Sequence, residues 1–223
     1  MSLRPQPGGV ATFVSALTAA AALAALVVWT DAPASAQALK SAPIFPGATA
    51  DAAATKAVRS ERADSPGLVQ SMSGARPSRE ALEVYSTRSG IEDVYRFYVA
   101  QLGAKPLTGD LPDPFALKPG GSTPVQCDPS FYESELEDQL SDATGQVMRS
   151  GVAVRKKLAG SRTPLDGGQW LTDGVFDWAS RNAQGVLSIY RVHLQDESFS
   201  DDYAQYAVKT WIIVESASIE TSK

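Results

Sequence analysis

From Gly174 to Ser216 apolar residues recur with a period of two, and that stretch restricts the possible folds more than any other. GVFDWASR, GVLSIYRVHLQ and YAVKTWIIVES read as three strands, joined by NAQ near 182–184 and by DESFSDD at 196–202. Consecutive strands with short polar connections predict an antiparallel meander. Alternation sets Val175, Asp177 and Ala179 on one side against Phe176, Trp178 and Ser180 on the other. In the next strand Leu187, Ile189, Arg191 and His193 oppose Val186, Ser188, Tyr190, Val192 and Leu194. Trp211 and Ile213 oppose Ile212 and Val214, so the last strand is apolar on both sides. Such a strand is expected centrally in a sheet or under a helix.

A helix able to cover this sheet stands at 89–102. Ser89 reads as its cap, and Glu92 three residues later completes a capping box. Ile91, Val94, Tyr95, Tyr98 and Leu102 share one face, and Gly103 is the stop. Glu92, Asp93, Arg96 and Gln101 are expected to face outward. Upstream, LVQSM at 68–72 and ALEVYSTR at 81–88 read as strands, with Leu82, Val84 and Ser86 on one side. Prolines and glycines preclude long regular structure over 105–124. Asp128-Pro129 then predicts a further helix, with a capping aspartate and proline at its first position. Its apolar stripe is Phe131, Tyr132, Leu136 and Leu140, and Glu133, Glu135, Glu137 and Asp138 suit the positive end of its dipole. Gly145 and Gly151 break it, leaving a short helix or a strand at 146–158. The expected class is α+β: an antiparallel sheet of about four to five strands, one main helix packed on one face, and a partly helical insertion.

The N-terminal end predicts a destination. An uncharged run at 11–29 is followed by Pro33, a helix breaker, and by the small-x-small site Ala34-Ser35-Ala36. Residues 1–36 therefore read as a signal peptide cleaved after Ala36, with a permanent anchor formed by residues 11–29 as the alternative. The mature chain would be periplasmic or extracellular, touching membrane only through that segment if it stays uncleaved. Residues 37–65, rich in alanine with only Ile44, Phe45 and Val58 to bury, read as a partly ordered entry segment whose IFPGA stretch docks on the domain. Residues 66–223 form one domain with an insertion at 105–173. Cys127 is the lone cysteine, so no internal disulfide supports the fold. The net charge of −5, with no concentrated basic face interleaved with aromatics, speaks against a nucleic-acid partner.

Chemistry is sparse. His193 is the one histidine and sits in a predicted strand without the second and third groups that a base or ligand set needs. The glycine pairs at 120–121 and 167–168 lack the spacing and lysine of a phosphate loop. Asp196, Glu197, Asp201 and Asp202 could offer oxygens to calcium, but the glycine and terminal glutamate of an EF-hand loop are missing, and a solvated hairpin tip is the expectation. No catalytic residue, metal or cofactor is expected. The function predicted is a non-enzymatic envelope module that binds another envelope protein or a small apolar ligand, with Phe115, Phe131, Tyr132 and Trp170 of the insertion as contacts. The alternative is a hydrolase of envelope polymers acting through carboxylates such as Asp173 and Asp177.

Three short runs carry a resemblance: Phe45-Pro46-Gly47-Ala48, Val84-Tyr85-Ser86-Thr87, and Val94-Tyr95-Arg96-Phe97-Tyr98 with Leu102. Together they are similar to a pattern in uncharacterised exported, periplasmic bacterial proteins. There a proline-glycine-alanine segment precedes a strand ending in tyrosine and threonine, a phenylalanine-tyrosine helix, and antiparallel strands. The matching stretches are 44–104 and 174–215, and the insertion at 105–173 departs from the pattern. The resemblance implies a β-α-β-β-β arrangement of helix on sheet and brings no catalytic residues with it.

Overall fold

The computed structural model describes residues 42–62, 79–132, 151–200 and 205–220. The apolar run at 11–29, the 68–72 strand, Leu136, Leu140, Asp201 and Asp202 lie outside the described residues. In chain order the elements are β1 (Thr49–Ala50), α1 (Ala52–Glu61), β2 (Arg79–Thr87), α2 (Ile91–Leu102), β3 (Lys105–Pro106), a 3-10 turn (Pro114–Ala116), β4 (Gln126–Phe131), α3 (Gly151–Ser161), β5 (Leu171–Arg181), β6 (Leu187–Asp196), β7 (Phe199–Ser200), β8 (Gln205–Tyr206) and β9 (Thr210–Ile219). Seven strands form one sheet in the order β1-β2-β9-β6-β5-β4-β3, while β7 and β8 pair separately. Every neighbouring pair in the large sheet is antiparallel except β3 with β4. No helix among the described residues is long and apolar enough to cross a membrane.

The class is α+β and the meander is present, since β5, β6 and β9 are neighbours. The doubly apolar strand is central, with β9 between β2 and β6 and both Ile212 and Ile213 buried. The sheet is larger than the four to five strands expected. Two of the additional strands, β1 and β3, have two residues each, too short to show any periodicity. Another, β4, replaces the helix predicted from Asp128-Pro129. The reason is that proline fits two places equally well, the first turn of a helix and the outer side of an edge strand. The Cys127 carbonyl points outward and accepts from Leu107 N–H at 2.9 Å. Pro129, two residues on, therefore also turns its missing N–H away from β5.

Both faces of the sheet are covered, which corrects the picture of one helix on one side. On the first face α2 buries Ile91, Val94, Tyr95 and Tyr98 against Phe176, Trp178, Val192, Leu194 and Ile212. Gly174 allows the close approach: a Cβ there would stand 2.9 Å from the Tyr95 ring. On the second face α1 lays Ala54 and Val58 over Val84 and Ile213. At the opposite end Phe115 and Leu117 pack on Ala179, Leu187, Ile189, Ala217 and Ile219. The helix α1 lies inside the alanine-rich stretch read as an entry segment. Asp51 caps it by accepting from Ala54 N–H at 2.9 Å. It also roofs the outer edge of β2. Asp51 N–H donates to the Val84 carbonyl at 2.8 Å, Val84 N–H to Thr55 Oγ1 at 3.0 Å, and Arg59 to the Leu82 carbonyl at 2.6 Å. Those bonds occupy groups that an open edge would offer to another chain.

The start of α2 departs from its prediction. Its N-cap is Gly90 with no side-chain cap, so Ser89 does not fill that role and no capping box forms. Its end is as expected: Gly103 adopts φ 60° and donates to the Val99 carbonyl. Of the two alternatives at 146–158, the described part, from Gly151 on, is helical.

Candidate functional site

Glu92, expected in solvent, is 1 % exposed and faces Arg162, whose side chain is also fully buried. Arg162 Nε donates to Glu92 Oε2 at 2.9 Å, and its terminal nitrogens bond Glu92 Oε1, Asp196 Oδ2 and the Leu171 carbonyl. Leu171 N–H returns a bond to Glu92 Oε1 at 3.1 Å, and Tyr132 O–H donates to Asp196 Oδ2 at 3.0 Å. Burial alone would lower the Arg162 pKa, but the hydrogen bonds and charges of Glu92 and Asp196 outweigh it and the guanidinium is held more firmly protonated. The network ties α2, the end of α3 and the ends of β5 and β6 together. Arg96 supports the same junction through Asp93 and the carbonyls of Thr163 and Pro164.

A second set of charges crosses the opposite face between α1 and the 3-10 turn. Arg191 grips Asp177 through two bonds of 2.8 and 2.9 Å. His193 Nε2 stands 3.1 Å from Asp173 Oδ1, and Arg62 pairs with Glu215. Burial would lower the Arg191 pKa, yet the bond to Asp177, its charge and that of Glu215 raise it overall. Asp173 and Asp177 lie four residues apart on one face of β5, so their Cα atoms are roughly 13 Å apart. Each is engaged by a different side chain from β6, an arrangement unlike the close carboxylate pair of a glycosidase.

An open groove of about 970 Å³ lies at the end of the sheet where β2 finishes and β9 begins. Three segments build it. The first is the turn at 45–48, where Ala48 N–H donates to the Phe45 carbonyl at 3.0 Å and Gly47 takes φ 82°. Proline then glycine at the two central positions are what a type II turn requires. The second is Ser86–Ser89, held by Thr210 Oγ1 donating to the Ser89 carbonyl at 2.9 Å. The third joins Glu197–Phe199 to Gln205–Lys209: Glu197 N–H donates to the Lys209 carbonyl, and Ala207 N–H to the Ser198 carbonyl, each at 2.9 Å. Asp196 Oδ1 accepts from Ser198 N–H at 3.1 Å, so the buried network anchors this wall.

The groove's charges differ from those of the buried network and the second face. Arg88, Glu197 and Lys209 join no ion pair among the described residues. Lys209 Nζ rests 5.1 Å from the Trp211 ring centre. Burial pushes the Glu197 carboxyl up from its ordinary pKa; Lys209 opposes this, while Asp196, Glu61 and Asp173 add to it. Thr49, Ser86 and Ser89 contribute short hydroxyl side chains.

Of the four aromatics singled out by sequence, three gather at this end of the sheet. Tyr132 N–H donates to the Trp170 carbonyl at 2.8 Å, the Tyr132 ring meets Phe199 edge-on at 6.4 Å, and neighbouring Phe131 packs against the core beneath α2. Phe115 lies at the far end, where its carbonyl accepts from Arg181 at 3.2 Å. Of the calcium candidates, Asp196 is engaged by Arg162 and Tyr132, while Glu197 faces the groove. Cys127 is buried and takes a hydrogen bond from Tyr95 O–H at 3.2 Å. The groove itself has no periodic signature, because main-chain turns and short hydroxyls make most of it. Of its lining, the sequence singled out Pro46-Gly47, in the IFPGA stretch expected to dock on the domain, and Glu197 of the acidic connection. Comparison with protein-family models, with curated proteins and with solved structures finds no match.

Proposed function

We propose that this chain is an exported envelope protein that works by binding, with the groove between the 45–48 turn, the end of β2 and the stretches 197–199 and 205–209 as its ligand seat. One observation carries the reading. The charges of the buried network and the second face are matched to partners, whereas Arg88, Glu197 and Lys209, around a space of about 970 Å³, join no ion pair among the described residues. That volume is at the upper end of ordinary ligand pockets. The space between α2 and the sheet is occupied by Tyr95, Tyr98 and Phe176, so the ligand expected is polar rather than the small apolar molecule first considered. Phe131, Tyr132 and Trp170, beside the groove wall, are the candidate contacts for a partner protein of the envelope. Export rests on the uncharged run and the Ala34-Ser35-Ala36 site.

N-terminal sequencing of chain recovered from a bacterial periplasm tests the first half, with Gln37 expected as the new first residue. A ligand screen read by NMR shift changes tests the second. Ligands should move the amides of Ser86–Ser89 and Glu197–Lys209, and Thr49→Trp, at an exposed rim position, should abolish those shifts. Ligands that ignore Thr49→Trp would place binding elsewhere.

A further inference from the structure

We infer that the groove takes an acidic saccharide, a hydroxyl-rich ligand bearing carboxylates; this rests on the binding reading above and names its ligand class. Four features of the lining converge on that chemistry. Arg88 and Lys209 provide two cations with no carboxylate bonded to them among the described residues, and a carboxylated ligand would supply it. Thr49, Ser86 and Ser89 carry hydroxyls, which both donate and accept and so match ring hydroxyls. Glu197 is a half-buried carboxyl able to accept from ligand hydroxyls, and its charge would repel a dianionic phosphate brought to the same wall. Lysine seated on an indole face keeps its ammonium directed without a neutralising partner.

The other ligand classes fit less well. A neutral saccharide leaves both cations unsatisfied. An acidic peptide would meet them, but an extended chain also seeks spaced apolar pockets, and Phe199 and Tyr206 face each other at 4.6 Å instead of opening one. Trp211, beneath Lys209, carries its ring under the ammonium rather than toward a ligand.

The test uses the mature chain and three probes: tri-galacturonate, maltotriose and tri-glutamate, titrated calorimetrically at low and at physiological salt. Tri-galacturonate should bind most tightly, weaken as salt rises, and lose about tenfold in affinity with Arg88→Ala or Lys209→Ala. Both positions are on the surface side of the groove, and circular dichroism of each variant confirms that it is folded. Thr49→Trp should abolish binding altogether. Maltotriose binding as well as tri-galacturonate, unaffected by Lys209→Ala but lost in Thr49→Trp, would overturn the acidic class while leaving the groove reading intact. Tri-glutamate as the tightest probe would assign the groove to peptides. Probes that bind equally to the parent chain and Thr49→Trp would sink the groove reading itself, and no binding of any probe at millimolar concentration would overturn the saccharide inference.

Discussion

The two faces of the sheet and the groove at its end hold the same kinds of side chain under opposite conditions. Across the second face, Asp177 is gripped by Arg191, Asp173 by His193 and Glu215 by Arg62. Beneath α2 the pairing is stricter still, with Arg162 shared between Glu92 and Asp196. In the groove Arg88, Glu197 and Lys209 stand apart, even though Lys209 is near enough to Glu197 to pull against its raised pKa. A charge satisfied inside the fold contributes to folding and is costly to borrow for a ligand. A charge left unsatisfied beside open space contributes little to folding and is available. On the proposed reading, the comparison separates architecture from binding site without reference to any motif.

Four substitutions can break or sharpen that contrast, and they are expected to fall in descending order. Arg162→Met leaves Glu92 and Asp196 buried and unpaired, and should cost about 3–5 kcal/mol in urea unfolding. A loss under 1 kcal/mol would mean that the junction is open to water. On the second face, Arg191→Ala should cost about 1–2 kcal/mol while ligand shifts in the groove stay unchanged. If binding fell with stability, the face and the groove would not be separate. In the groove, Lys209→Ala should leave stability within about 0.5 kcal/mol of the parent. A larger change in its melting temperature would make Lys209 part of the scaffold.

The smallest effect has a sign as well as a size. Glu197 has a raised pKa in the folded state, so any stability linked to its proton is complete below the unfolded value, about 4.3, and lost as pH rises through the folded one. Glu197→Gln should therefore melt slightly higher than the parent at pH 7, and the gain should vanish at pH 3.5. A gain that persisted at the acid end would trace to packing and not to the charge.

Where burial follows a regular period, sequence and structure agree. The strands read at 174–181, 185–195 and 206–216 are found at 171–181, 187–196 and 210–219, the last of them, expected centrally or under a helix, is central, and Gly103 is the stop of α2. Glu92 shows where that legibility ends. An acidic residue three positions after a serine reads as a capping partner, and nothing local reveals that Arg162 arrives 70 residues later to claim it. Asp128-Pro129 fails for a related reason, since helix starts and edge strands accept the same dipeptide. The helix α1 buries just two small side chains, Ala54 and Val58, too faint a stripe to stand out among so many alanines. The groove is hardest to read of all, because turns, short hydroxyls and unpaired charges carry no periodicity.

The sheet order has a consequence in time. β9 follows every other strand in the chain, yet it lies third from one edge, bonded to β2 along one side and to β6 along the other. Until it is in place, β1 and β2 with α1 have no ladder connecting them to β3 through β6. Closing the gap joins residues such as Leu82 and Glu215, so the contacts that complete the sheet are distant in sequence, a kind of pairing that is intrinsically slow to close. For an exported chain, as proposed above, such an order would keep the sheet open until its final strand is supplied and close it when that strand enters between its two neighbours.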